Sequence, residues 1–405
     1  MQNTYDVIIV GAGAGGSSTA YFLSQHNLRV LVIEKCSLPR YKACGGGVSL
    51  KFLNRIFPFS FDPVIEKQVD SLRYQFLGID LVVPIPQGEM AMVMRDQFDN
   101  FILSHTTCDL LQASVTRVVE SSDLVSVTTD QQQVFYSKYL VAADGVNSLI
   151  RKHIFPDHIP TRIPAIEAEV IVPESIYQNY CSGPTFIFSK PRFGYLWIFP
   201  KKHSLSIGIA SRGLHGSTLK TILKQEMLTR GISLENVPLH GHTIPVCIRH
   251  NRLATKRIFL VGDAASLVDP LSGEGIRPAI LSGCLASQAI ISGNPLSYPH
   301  QVDRQIRRHF IASTIVSYLF YPLRELCLLL GAPNPFASQL ITQIIAGEKT
   351  SLDLFLWSIL TLPVYLTTEI IGECLALVRG SKARDAFLDN VYGYFQSENQ
   401  QTKKS

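Results

Sequence analysis

The chain has 405 residues, of which 46% are hydrophobic and 17% charged, with a formal net charge of +5. That length and apolar content exclude a disordered chain or a small disulfide-stapled scaffold, and suit one large composite domain or two to three smaller ones. The mild charge comes with no nucleic-acid reader motif, which argues against nucleic-acid binding and leaves only weak attraction to an anionic membrane surface open.

Eight cysteines lie scattered at 36, 44, 108, 181, 247, 284, 327 and 374 without a CxxC pair. No metal site or redox dithiol is signalled, and a reducing, cytoplasmic compartment is expected. The first strand begins by residue 5, leaving no room for a signal peptide.

In chain order, Val7 to Val10 is a β-branched run suited to a buried parallel strand. Gly11, Gly13 and Gly16, with Ala14 and Gly15 between them, form G-x-G-x-x-G and open a small-residue helix expected from Ser17 to His26. The first glycine makes a tight turn, the second lets a pyrophosphate approach the backbone, and the third lets helix and strand pack closely. The helix N-terminus adds free N–H groups and the positive end of a dipole. A second buried strand, Arg29 to Ile33, ends at Glu34, which can accept hydrogen bonds from ribose hydroxyls, and Lys35 follows it. The motif by itself does not choose between FAD and NAD.

Next comes "YKACGGGV", residues 41 to 48. Three consecutive glycines cost backbone entropy on ordering, so this segment is expected to run against something. Cys44 is either a proton donor there or a compact hydrophobe chosen for fit. "VMRDQFDNFIL", residues 93 to 103, has helical spacing with Arg95 near its start, and "YLVAADGVNSLIR", residues 139 to 151, runs a buried strand into Asp144-Gly145 and on to Arg151. Arg151 suits a salt bridge as well as a ligand.

In "RFGYLWIFP", Phe193, Tyr195, Trp197 and Phe199 alternate with Gly194, Leu196 and Ile198. On a strand, four aromatics then share one face and the other face is apolar too. The alternatives are a plain aromatic core and the hydrophobic wall of a cavity, with the polar tips of Tyr195 and Trp197 free to orient a ligand or a proton. "RIFLVGDAASLVDPLSGEGIRPAI", residues 257 to 280, is another buried strand ending at Gly262-Asp263, then a loop and a helix opening at Gly275-Ile276. No second strand-linked G-x-G-x-x-G occurs, so no separate nicotinamide domain is expected. Two apolar stretches, 310 to 333 and 351 to 378, read as helices packed on the substrate domain or dipping into a bilayer surface. Pro322, Arg324 and Glu325 break the first; Pro363 and Glu369 leave the second an uncharged run of about fifteen residues, short of the roughly 20 a span needs. The tail after Gln396 is polar and expected to fray. Nothing in the sequence signals an oligomeric state.

Taken together, these stretches resemble the FAD-dependent hydroxylase-like (p-hydroxybenzoate hydroxylase-type) flavoprotein superfamily. Within it, Lys42 to Gly47 resembles the K-x-C-G-x-G segment of the geranylgeranyl reductase family, and Tyr195 to Pro200 its Y-x-W-x-F-P motif. The likeness covers about residues 1 to 300, although Ala43 stands where members often have proline. It implies an α/β fold: a FAD-binding doubly wound (Rossmann-like) domain from 1–52, 90–152 and 245–295, interleaved with an antiparallel-sheet substrate domain from 53–89 and 153–244, plus C-terminal helices over 296–405. Besides the glycine loop, Glu34 and Lys35, it implies FAD contacts from Cys44, Gly45, Gly47, Arg95, Val115, Asp144, Gly262, Asp263, Gly275 and Ile276. Asp263 would meet the ribityl chain, Arg95 the nucleotide half, and Gly275-Ile276 the pyrimidine edge, where a helix N-terminus favours the negative charge of reduced flavin. Asp144 and Arg151 would brace the cofactor and the domain junction.

The implied activity is reduction of isolated C=C bonds in an isoprenoid chain, with hydride from the flavin and a proton from Cys44 or Tyr195, before the Tyr195–Trp197 wall. NADPH, a ferredoxin-type donor or a quinol would supply electrons, and a lipid-soluble substrate would make peripheral membrane contact useful. A flavin monooxygenase, a non-redox carotenoid cyclase and an isoprenoid carrier are the rival readings.

Overall fold

The computed structural model describes residues 3–246, 252–335 and 340–401, so Cys247 lies outside the described residues. Strand Thr4–Val10 is central in a seven-stranded sheet, parallel to Val30–Glu34 on one side and to Val134–Ala142 on the other. Ile258–Leu260 extends the parallel set beside Val134–Ala142, and Asp109–Gln112 extends it beside Val30–Glu34. These strands read as unbroken apolar runs because both faces are covered: Val7, Ile8 and Ile9 are fully buried. Helices Ala14–Ser24 and Ile276–Ile291 pack on each other, with Gly15, Thr19 and Gly283 at their contact. The first helix begins earlier than its spacing suggests, because Gly13 is its N-cap.

A second seven-stranded sheet runs in the order His240–Val246, Thr161–Val170, Leu205–Ser211, Gly194–Pro200, Thr185–Ile187, Ser71–Phe76 and Ile79–Pro84. All its pairings are antiparallel except the one between Thr185–Ile187 and Ser71–Phe76. One face buries Leu196, Ile198 and Ile207 against Leu219, Leu223 and Met227 of helix Gly216–Leu228. The opposite face carries Tyr195, Trp197 and Phe199 toward the first domain. Phe193 departs from the expected aromatic row: it precedes the strand, is 48% exposed, and rests against Tyr321. A small sheet of Gly47–Ser49, Met90–Val93 and Ile65–Val69 joins the two halves.

The C-terminal third corrects two expectations. Ser351–Arg379 is one helix of 29 residues that passes through Pro363, started by a Thr350–Asp353 capping box and ended at Gly380. It is long and apolar enough to cross a membrane. It is not core: of its described residues only Ser351, Thr361, Thr368 and Gly372 are buried, whereas Leu360, Ile370 and Leu377 are 67%, 63% and 88% exposed. The polar tail continues as helix Ser381–Gln401, its first turns held by Arg384 pairing with Glu373 at 3.1 Å. The earlier apolar stretch is broken as expected, with a bend of 106° between the helical arm ending at Phe320 and helix Arg324–Gly331.

Candidate active site

One cavity of about 1090 Å³ connects the glycine loop to the aromatic strand. All the expected cofactor and catalytic positions line it except Gly16. A Cβ on Gly16 would lie 1.8 Å from the Gly11 carbonyl oxygen, so this glycine serves helix-on-strand packing rather than the ligand. Gly11 makes the turn with φ +101, which a side chain could not adopt against the Ala143 carbonyl. Glu34 is buried; its carboxylate accepts from the Ala12 N–H at 2.8 Å and the Cys36 N–H at 3.1 Å, and pairs with Arg40 at 3.4 Å. Lys35 and Val115 complete this end of the cavity.

Asp144 sits where its strand ends. One carboxylate oxygen accepts from the Leu149 N–H at 2.9 Å, and the other is buried without a partner among the described residues. Burial raises its carboxyl above the ordinary range. Arg151 does not reach the cavity. Its guanidinium donates to the Ala264 and Val146 carbonyls at 3.0 and 2.7 Å, tying the loop after Asp263 to the turn that follows strand Val134–Ala142. Asp263 accepts from Lys42 Nζ at 3.0 Å, with His242 at 3.9 Å. Burial pushes the Asp263 carboxyl up, but Lys42 and His242 outweigh it and hold it well below the usual carboxylate range.

The glycine triplet answers to protein, not to open space. A Cβ on Gly45 would meet the Phe199 ring at 2.6 Å, and one on Gly47 the Met90 methyl at 2.9 Å. Gly46, at φ +73, leaves 2.1 Å to the Val93 carbonyl and 2.4 Å to Lys201 Nζ. Lys201 is buried, and its ammonium donates to the carbonyls of Gly45 at 2.6 Å and Val93 at 2.9 Å. Burial lowers the Lys201 ammonium below its ordinary range, against the pull of Glu169, Cys44 and Glu167. The Cys44 sulfur accepts from the Gly46 N–H at 3.4 Å and also faces the Arg95 guanidinium. Arg95 is buried in a two-bond pair with Asp99 at 2.9 and 2.8 Å, which keeps its guanidinium charged despite burial. Arg95 therefore stands beside Cys44 on the cavity wall.

The aromatic wall is ordered by strand register. Tyr195 lies across from Ala210, Ala165 and His242; Trp197 from Gly208, Glu167 and His240; Phe199 from Ser206 and Glu169. A Cβ on Gly208 would sit 2.1 Å from the Trp197 ring, so the indole lies flat over that glycine. The Trp197 Nε1–H is buried without a partner among the described residues. The Tyr195 hydroxyl donates to the Ser272 carbonyl. Its proton is thereby engaged, whereas the Cys44 thiol donates to nothing among the described residues.

The arrangement fits a flavin. Two helix N-termini, at Gly13 and at Gly275, open into the cavity without a side-chain cap. The partnerless Asp144 oxygen and Trp197 nitrogen belong to residues that line the same space. The unmade caps favour a pyrophosphate at the first terminus and the electron-rich edge of the ring system at the second. Sequence reasoning missed Tyr41, Glu167, His242 and the role of Lys201. The signal available for Glu167 and Glu169 was their shared phase in "AIEAEV", two carboxylates on one face of an apolar strand.

Fold and cavity define a flavoprotein oxidoreductase with a Rossmann-like nucleotide-binding unit. Residues 9–57 match the family model for an NAD(P)-binding Rossmann-like domain. The chain is 30% identical over 327 residues to an uncharacterized protein of Methanosarcina barkeri, covering 78% of this chain and 82% of that one. It is 27% identical over 312 residues to the geranylgeranyl diphosphate reductase of Rhodobacter capsulatus, covering 72% and 77%. A geranylgeranyl bacteriochlorophyll reductase-like protein from Thermoplasma acidophilum shares the fold, with a TM-score of 0.72, 21% identity, and coverage of 91% and 98%. The chain belongs to the geranylgeranyl reductase family.

Proposed function

We propose that the chain is a FAD-dependent reductase of isolated C=C bonds in a geranylgeranyl-type isoprenoid. The observation that carries this reading is the continuity of the cavity: the same space bounded by the glycine loop is bounded by Tyr195, Trp197 and Phe199 and by apolar residues such as Leu326 and Ile359. The Glu34–Lys35 and Ala113–Val115 walls are needed only by a flavin with an adenosine half, which supports FAD over a mononucleotide. FAD, once reduced, supplies the hydride. The chain's own residues exclude water with the aromatic wall, hold the alkene, and deliver a proton, for which the Cys44 thiol is the free donor. NADPH or a ferredoxin-type protein serves as a visiting electron donor.

The test is anaerobic: photoreduce the flavoprotein, add geranylgeranyl diphosphate or a digeranylgeranyl lipid, and analyse products by mass spectrometry. Gain of two hydrogens per double bond, with the return of oxidised flavin, is expected. An oxygenated product in air, or an isomer with no change in hydrogen count, would instead identify a monooxygenase or a cyclase; a colourless protein that retains the lipid would identify a carrier.

The lipid class of the substrate also explains the exposed apolar row on Ser351–Arg379, a helix whose Leu354, Ile359 and Leu362 line the cavity. That row forms the contact with a lipid surface, from which an isoprenoid enters without crossing water. The protein should sediment with phosphatidylcholine vesicles, and the double substitution Leu360→Asp, Ile370→Asp should release it. Retention of the double variant on the vesicles, or failure of the parent to bind them, defeats this contact.

A further inference from the structure

Saturating one C=C consumes one hydride and one proton, so each turnover leaves the cavity's donor one proton short. The strand row that carries Trp197 continues through Gly208 to Glu167 and His240. Glu167 is 2% exposed and lines the cavity. Its carboxyl accepts from the Tyr41 hydroxyl and from Ser206 Oγ at 3.2 Å. Tyr41 is 43% exposed, packs against His240 with tilted rings whose centroids are 4.5 Å apart, and sits three residues before Cys44. One hydroxyl thus stands between the outer surface and a buried carboxyl that borders the cavity.

We propose that Tyr41 and Glu167 form the inlet through which solvent protons reach the cavity and restore its proton donor. This rests on the reductase reading above. The steps change O–H and S–H bonds only. Solvent protonates the Tyr41 oxygen as the Tyr41 proton passes to Glu167, and Glu167 releases a proton into the cavity that Cys44 also lines, where it reprotonates the spent thiolate. No electron moves, and one proton is drawn from bulk for each double bond saturated.

The surroundings suit this traffic. Glu167 is faced by Tyr41 from the cysteine loop, by Ser206 and His240 from the neighbouring strands, by Glu169 on its own strand, and by Lys201. Burial holds the Glu167 carboxyl above its ordinary range. Burial, together with the negative charge of Glu167, pushes Glu169 up to about 7, against the opposing pull of Lys201. A Glu167 carboxyl held above its ordinary range stays neutral to higher pH and loses its proton as pH rises past that raised range, so the inlet slows toward alkaline pH.

Two variants keep the fold. Tyr41→Phe preserves the ring contact with His240, and Glu167→Gln still accepts from Tyr41. In infrared spectra of the flavin-loaded protein, a buried carboxyl band should titrate above the ordinary carboxylate range and be lost in Glu167→Gln. After a pH jump the band should follow promptly in the parent and lag in Tyr41→Phe. This arm needs no substrate, so it decides the inlet even if no polyprenyl alkene is consumed, an outcome that would count against the reductase reading alone. With substrate, anaerobic flavin reoxidation should slow by roughly 10²-fold in Glu167→Gln, with the alkaline fall in rate abolished. A prompt band in Tyr41→Phe, or a parental pH profile in Glu167→Gln, overturns the proposal.

Discussion

Cys44→Ala is expected to bind flavin, to accept electrons on photoreduction, and to form saturated product roughly 10²-fold more slowly than the parent, the usual loss when a positioned acid is removed. The expectation follows from which protons are free. The Tyr195 hydroxyl is engaged by the Ser272 carbonyl and the Arg95 guanidinium by Asp99, while the Cys44 sulfur receives a hydrogen bond from Gly46 and gives none among the described residues. Substituting alanine removes one sulfur atom and leaves the neighbouring glycines, which contact Phe199, Val93 and Met90, unaltered. Single-turnover reoxidation by an isoprenoid alkene separates this effect from slow flavin reduction. A parental rate would assign Cys44 to packing and return the proton role to another group.

Lys201→Met should cost about 2 to 5 kcal/mol of stability and loosen the flavin, because one ammonium closes two buried carbonyls and faces two carboxylates. Its Nζ donates to Gly45 and Val93, which pins the cysteine loop to the strand Met90–Val93. Methionine has a similar length and no donor, so the loss falls on the hydrogen bonds rather than on volume. Glu167 and Glu169 would lose the attraction of the Lys201 ammonium at the same time. Chemical denaturation with flavin absorbance as a second probe reads both effects. A midpoint equal to the parent's would mean that the loop is held by its glycine contacts alone.

The nucleotide end was legible in the sequence because its physics is local. A turn at Gly11, a helix starting beside it and an acid at the end of the next strand are all set within about thirty residues, so spacing alone places them. The alternation in Tyr195, Trp197 and Phe199 was legible for a similar reason, since strand period assigns faces without reference to any partner. The glycine triplet was half legible. Its need for close approach showed, but its neighbours come from residues 90 to 93 and 199 to 201, far along the chain. The long C-terminal helix misled, since proline and charge suggested a break and apolar content suggested core, whereas its capping box and exposed apolar row belong to one continuous helix lying on the surface.

By itself the sequence determined a dinucleotide-binding unit, an aromatic strand and the family pattern that joins them, because these rest on turn chemistry and period within short windows. Only the tertiary structure decided which groups stand together in the cavity. Lys42 meets Asp263 and Tyr41 meets Glu167 across 221 and 126 residues of chain, pairings fixed by how two sheets face each other and not by any spacing along the polypeptide.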